Sequence, residues 1–480
     1  MVKNSHAMAG GRTSTVLEEM KDQTVEEYTQ LLVARYLKKH GYKESLAGFL
    51  KETSLSSIAL MDDETLNHDK SDDLMTVIKE RIEFNEYNIE KQLGNLNINN
   101  LNNNDIDLKK FGIKPWNHDI KWKLVNNVTT NMLSIGSKFI SQDKDIAISM
   151  ANKQFLVYND SLKAVKDTLK TPSVIKLFGP VEHPTLNLNY ACTMDGSLYI
   201  FDDYQNILKN AYKLHQRMIT HIQFIKLEKE VNKFLVVSTG LDQILKISSL
   251  QVDPVKQNIT LDEIDSIKLN SNCSSLVCQY LGGNLSIFLT RNDFTQISCY
   301  SIEHHTKKLI QKYYIALNNA QFSTHSFNVR DMIIINDSTL AVATSHIPYL
   351  RIILVEIPID ENGHDLENSL TNVKTYYDKI LMNIATQISN TSLSQPIIEY
   401  LPLSNGLLIG NDNGLYAMDL FKYESWSLQD KLGFPLKTIV KNIDISASGK
   451  SMICTFADKS TYLWSIEKEN HFFDNLNLIN

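Results

Sequence analysis

The chain has 480 residues, 43% of them hydrophobic and 21% charged, with a formal net charge of −7. That length exceeds one small core and predicts a large domain plus an accessory one. The composition excludes a fully disordered chain, and the scattered Lys pairs (38–39, 109–110, 307–308) form no basic stripe for nucleic acid.

Residues 1–23 are polar, with Gly and Ser, and are expected to be disordered. The first patterned stretch is Thr24–Thr53. Tyr28, Leu32, Val33, Tyr36 and Leu37 form one apolar stripe at helical spacing, and Gly41 stands where a left-handed residue ends a helix. Tyr42, Leu46 and Phe49 begin a second stripe. Two helices this short cannot bury both stripes in each other, so the surplus apolar surface calls for a partner, most simply a second copy. Val33, Tyr36-Leu37, Gly41-Tyr42, Leu46, Phe49 and Glu52 stand in the order of the LisH (lissencephaly-type homology) motif, which about thirty residues of this chain resemble. The resemblance implies homodimerisation by two helical hairpins forming a four-helix bundle, with Leu32, Val33, Tyr36, Leu37, Tyr42, Leu46 and Phe49 in the contact. The bland alternative is a hairpin docked on its own chain.

Ser71 is a good N-cap, Asp72 and Asp73 suit a first helical turn, and Leu74, Val77, Ile78, Ile82, Ile89 and Leu93 predict a third helix over 72–93. It either extends the dimer or packs on the following domain, so residues 24–93 are grouped as one helical region. The Asn-rich segment after it, 94–117, reads as a linker.

From residue 118 to the end the texture changes to short β-type runs, and seven hairpins recur. Their turns fall near Asn152, Asp195-Gly196, Asp242, Asn292-Asp293, His346 to Pro348, Asp412 and Asp458, at separations of roughly 43 to 66 residues. Each has the form strand, tight turn, strand, and the second strand closes on an aromatic or large apolar residue followed by a polar one (Phe201-Asp202, Met418-Asp419, Trp464-Ser465). The pattern resembles degenerate WD repeats without the Gly-His half of their signature. It implies a seven-bladed β-propeller, giving an α+β multidomain chain. The longest interval holds the polar insert DENGHDLENSL, a plausible surface loop. After Trp464 no outer strand remains for the last blade, while Ile120, Trp122 and Leu124 alternate with Asp119, Lys121 and Lys123 just before the first. This early strand is expected to complete the last blade and fasten the ring.

No catalytic or metal constellation stands out. Ser448-Gly449-Lys450-Ser451 has Asp444 where a phosphate loop needs glycine, and reads as a hairpin turn. His304-His305 has no further ligand at metal spacing, and Asp143, Asp145, Asp202 and Asp203 lie on predicted turns. The five cysteines (192, 273, 278, 299, 454) have no C-x-x-C spacing and fit small buried side chains in a reducing compartment. No apolar run is long enough to span a bilayer, and the first residues lack the apolar core of a signal peptide. The expectation is therefore a non-enzymatic cytosolic or nuclear adaptor without cofactor, metal, nucleic acid or membrane. It would pair with itself and hold other protein subunits on a propeller face that the sequence does not identify. The order LisH, linker, propeller resembles regulatory subunits such as the dynein-regulating lissencephaly protein, transducin-β-like corepressor subunits and propeller subunits of the GID/CTLH ubiquitin ligase. A propeller enzyme or small-ligand sensor is the alternative class.

Overall fold

The structure is a computed structural model. It describes residues 29–30, 32–53, 74–75, 78 and 108–466, the last with breaks at 203–210, 228–229, 254–257, 282, 304–305, 319–326, 359–372 and 429–437. The expected disordered start, most of the third helix, the Asn-rich run up to residue 107, His304-His305 and the whole polar insert lie outside the described residues. The chain divides into two units, Met1–Asn104 and Asp105–Asn480.

In the first unit, helix α1 runs through residues 32–39 and helix α2 spans Lys43–Thr53. Gly41 adopts φ +76°. Gly41 N–H donates to Lys38 O (3.1 Å) and Tyr42 N–H to Leu37 O (3.0 Å), the paired bonds that close a helix through a left-handed residue. Glycine suits this place because a Cβ there is strained by sterics with the following carbonyl.

The second unit is a ring of seven antiparallel β-sheets. Blade one holds strands Ser134–Ile140, Asp145–Met150, Phe155–Asn159 and Val165–Thr168, and blade two Ile175–Val181, Leu188–Thr193, Ser197–Asp202 and Tyr212–Lys213. Blade three holds Ile219–Leu227, Glu230–Gly240, Ile244–Asp253 and Asn258–Lys268. Blade four holds Cys273–Leu281, Asn284–Arg291, Gln296–Ile302 and Leu309–Ala316. Blade five is Val329–Asn336, Thr339–Thr344, Tyr349–Glu356 and Ile380–Ser389; blade six is Ile397–Leu401, Gly406–Asn411, Gly414–Asp419 and Glu424–Ser427. The first strand of every blade touches the first strand of both neighbours, so these strands line the axis and the circle closes. The turn of each of the seven recurring hairpins joins the second and third strands of one blade.

Second strands such as Thr339–Thr344 and Gly406–Asn411 are buried along their whole length, because both faces of a sheet pack against adjacent blades. Continuous apolar runs satisfy that environment better than an alternating pattern. Between blades one and two, Phe155 meets Phe178 and Phe201 edge-on at 4.9 and 6.0 Å, a favoured arrangement for aromatic rings.

Blade seven is composite. Strands Val440–Ile445, Ser451–Phe456 and Ser460–Ile466 take their outermost partner from the start of the domain, Trp122–Thr129. The pairing is antiparallel, with Trp122 opposite Ile466, Leu124 opposite Trp464 and Val128 opposite Thr461. The early strand thus completes the last blade, as its alternation implied. It also ties to both neighbours: Trp122 Nε1–H donates to Ser404 Oγ of blade six (3.3 Å), and Asn126 Nδ2–H to Leu162 O of blade one (3.0 Å).

Three features were not anticipated. Residues 108–117, placed in the linker by their polar surroundings, pack on the propeller. Leu108 and Ile113 are buried in its core, Phe111 O accepts from Asn336 Nδ2 (2.9 Å), and Trp116 lies edge-on to Trp426 at 4.9 Å. A short strand, Lys374–Tyr376, pairs in parallel with Leu309–Ala316 and gives blade four a fifth member. In blade three a buried histidine works without a preceding glycine: His215 Nδ1 lies 3.0 Å from Asp242 Oδ1 in the turn, and Nε2 lies 2.9 Å from Ser238 Oγ. Ser448-Gly449-Lys450-Ser451 is part of a turn, with Gly449 N–H bonded to Ser446 O (2.8 Å) and Gly449 at φ +68°.

Candidate functional site

Two surfaces merit attention, one in each unit. In the helical hairpin, Leu32 is buried, Val33, Tyr36, Leu37, Leu46 and Phe49 are half-buried, and Tyr42 is 51% exposed. Helix α2 has no buried residue at all. Tyr36 and Tyr42 are brought together with ring centroids 6.5 Å apart, and His40, not singled out in the sequence, lies tilted 4.5 Å from Tyr36 and stacked 6.3 Å from Tyr42. An apolar stripe on a helix that buries none of its residues fully leaves part of that area available for association.

In the propeller, the informative end is the one where the first strands begin. The hairpins between second and third strands return to that end, and a repeated backbone bond fixes them there. Leu241 N–H donates to Met218 O, Asn292 N–H to Asn272 O and Ser345 N–H to Asn328 O, each at 2.9–3.1 Å, and blades one, two and seven repeat the device. The same six blades carry a β-bulge at the second residue of the first strand. A bulge re-aims a side chain locally. The bulged residues are Ile135, Lys176, Thr220, Ser274, Arg330 and Lys441, so three of six are cationic.

Four of those six, Lys176, Thr220, Ser274 and Arg330, line a cavity of about 250 Å³ together with His221 and Gln395, which blade six supplies instead of a bulge. Among the described residues no carboxylate pairs with Lys176 or Lys441. Burial, reinforced by the Lys441 charge, pushes the Lys176 ammonium below its ordinary range, and burial together with Lys176 takes His221 down to about 4. Arg330 Nη2–H donates to Ser392 O (2.9 Å), while its buried Nε has no acceptor among the described residues. The mouth is positive and short of anions.

The rim at this end is apolar. Met132, Leu133 and Ile439 precede the first strands of blades one and seven, Met194 sits on the hairpin of blade two, Ile347 and Tyr349 on that of blade five, and Leu393 in the loop leading to blade six; all are exposed. At the opposite end the exposed large apolar residues, among those described, are Val165, Leu403 and Tyr423. Deeper along the axis, Asp444 holds Lys138 (3.3 Å) and raises its pKa well above the usual lysine range. Burial pushes the Glu399 carboxyl up to about 8 and that of Asp331 up to about 6. Asp331 is held by Ile398 N–H and Met332 N–H, both at 2.9 Å.

Among the described residues no three or more His, Cys, Asp or Glu side chains gather as metal ligands, and no helix is long and apolar enough to cross a membrane. The cysteines are free and mostly buried, and burial raises the thiol pKa values of Cys192, Cys273, Cys278 and Cys454. The cations at the bulges were missed in the sequence because only the fold aligns residues from strands more than forty positions apart.

Comparison with known proteins agrees with this arrangement. The LisH domain of the UCP007778 family matches residues 27–60, and the β-propeller domain of that family matches residues 96–465. The uncharacterized protein YGR117C of Saccharomyces cerevisiae is 36% identical over 477 residues, covering 93% of this chain and 98% of the yeast protein. With a helical hairpin of that motif followed by a seven-bladed ring, the chain belongs to the UCP007778 family of LisH and β-propeller proteins.

Proposed function

We propose that the protein is a non-enzymatic adaptor that pairs with a second copy through its LisH hairpin and holds another protein on its propeller within a larger assembly. The observation that carries this reading is helix α2, which buries none of its residues although Leu46 and Phe49 lie on it and Tyr42 stands exposed before it. Val33, Tyr36, Leu37, Tyr42, Leu46 and Phe49 form the pairing surface, with Leu32 buried behind it. The rigid ring, closed by the early strand, supplies a fixed platform for loops, which is the economy of a binding module. A cytoplasmic or nuclear setting fits the five free cysteines.

The test is sedimentation equilibrium of the full chain beside a Tyr36→Asp, Leu46→Asp double variant. The wild type should run at twice the chain mass of 54.8 kDa and the variant at the chain mass, with unchanged propeller melting. A monomeric wild type would remove the pairing half of the proposal. Affinity purification of the two forms then identifies the subunits that depend on pairing.

A further inference from the structure

We propose that the cationic mouth of the propeller channel is a docking site for an acidic peptide segment of a partner protein, with carboxylates seated against Lys176, Arg330 and Lys441 and flanking apolar residues on the rim. This deepens the adaptor reading, on which it rests, by naming the face and the chemistry of the partner. Charge complementarity commits the site to an anion. Lys176 and Arg330 line the cavity and Lys441 stands near enough for its charge to act on Lys176, in a chain that is acidic as a whole, at −7, and no carboxylate of the described residues neutralises Lys176 or Lys441. The Arg330 Nε is buried and has no acceptor among the described residues, so the guanidinium keeps its charge uncompensated there.

The size and surroundings favour a peptide. A cavity of about 250 Å³ lies below the usual volume of a drug-sized ligand site and suits one or two side chains reaching in from a segment lying across the opening. The rim offers that segment apolar contact through Met132, Leu133, Ile439, Ile347, Tyr349 and Leu393, all exposed at the same end. Arg330 adds a planar fork suited to a carboxylate, and Ser274 and Thr220 add hydroxyls. Bulges at equivalent positions aim these side chains, so the site is built by the repeat architecture rather than by one flexible loop.

The experiment selects ligands for the full-length protein from a random dodecapeptide library displayed on phage. It then measures the best peptide, fluorescein-labelled, against wild type and a Lys176→Gln, Arg330→Gln, Lys441→Gln variant. The expected result is enrichment of Asp or Glu beside Leu, Phe or Tyr, at least tenfold weaker binding to the variant, and affinity that falls with added salt. Single Lys441→Gln, at an exposed position, should weaken binding several-fold without altering the melting midpoint, which guards against a misfolded triple variant. Failure to select acidic sequences, or equal binding to wild type and Lys441→Gln, overturns the proposal. Sedimentation of the same samples separates the two readings. A monomeric wild type that still selects acidic peptides refutes the pairing and leaves the mouth standing, whereas a dimer that selects none refutes the mouth alone.

Discussion

Removing the early strand tests whether ring closure holds the propeller together. Deleting residues 118–126 from the full chain takes away four of the seven registered pairs with the last strand, namely those of Trp122, Lys123, Leu124 and Asn126. It also removes the hydrogen bonds from Trp122 to Ser404 and from Asn126 to Ser161 and Leu162. A net value of about 1 kcal/mol per intramolecular hydrogen bond, with partial loss of the half-buried Trp122, puts the destabilisation at about 5 kcal/mol. Spread over the unfolding entropy of residues 108–466, at about 2.1 cal/mol/K per residue, this lowers the midpoint by about 7 °C. The exposed edge of Ser460–Ile466 should also promote association, since an unpaired strand invites pairing. Differential scanning calorimetry with light scattering measures both, with Lys121→Ala, an exposed change just outside the ladder, as the control. A deletion variant that melts within about 1 °C of wild type would show that the strand is an ornament and that the inner strands alone close the ring.

Two substitutions examine the interior. Gly196 adopts φ +87°, and a Cβ there would lie 2.3 Å from His215 O and 2.4 Å from Arg217 O, both backbone atoms. Gly196→Ala should therefore destabilise by about 2 kcal/mol or more in urea unfolding, and a change within experimental error refutes the packing of that turn. Glu399→Gln should stabilise the protein in a pH-dependent way. The folded carboxyl titrates near 8 against an ordinary 4.5, so wild type carries no penalty below pH 4.5 and a growing one as the pH rises to about 8. The gain in melting temperature should open across that window and level off above it; a gain that is flat with pH, or largest in acid, contradicts a buried, reluctantly charged Glu399.

The ring was legible because turn chemistry repeats. Asp195-Gly196, Asn292-Asp293 and Asp458 sit where tight turns demand residues that tolerate left-handed backbone or bond their own main chain, and burial on both faces makes the flanking strands mostly apolar. The closing strand was legible from its alternation, which requires one half-exposed face. Residues 108–117 were not. Leu108, Phe111, Ile113 and Trp116 are spaced without helical or strand period among lysines and a proline, and what orders them is the propeller surface they meet. The strand Lys374–Tyr376 is three residues long, too short for any periodicity to register. The mouth was invisible for a different reason. A lysine or arginine second in a strand is unremarkable alone, and only the folded ring places Lys176, Arg330 and Lys441 at equivalent bulges of their blades.

The proposed pairing and the proposed mouth make physical sense of each other. Lys441 is exposed and Lys176 and Arg330 half-buried, so each contact with a partner carboxylate competes with water and salt. Exposed ion pairs of this kind contribute about 0.2–1 kcal/mol apiece, and a few of them with a short apolar rim give a weak, quickly reversible grip. Two copies joined at the LisH hairpin change that balance. Once one mouth is occupied, a partner with a second acidic segment meets the other at an effective concentration in the ~mM range, and avidity can exceed the single-site affinity by about 10²–10⁴ without any new contact. Selection would then favour a mouth weak enough to release and a hairpin strong enough to stay paired. The Tyr36→Asp, Leu46→Asp variant should accordingly bind a one-segment peptide as wild type does and lose its advantage only on a two-segment peptide. Equal loss on both would place the hairpin's role in folding instead of pairing.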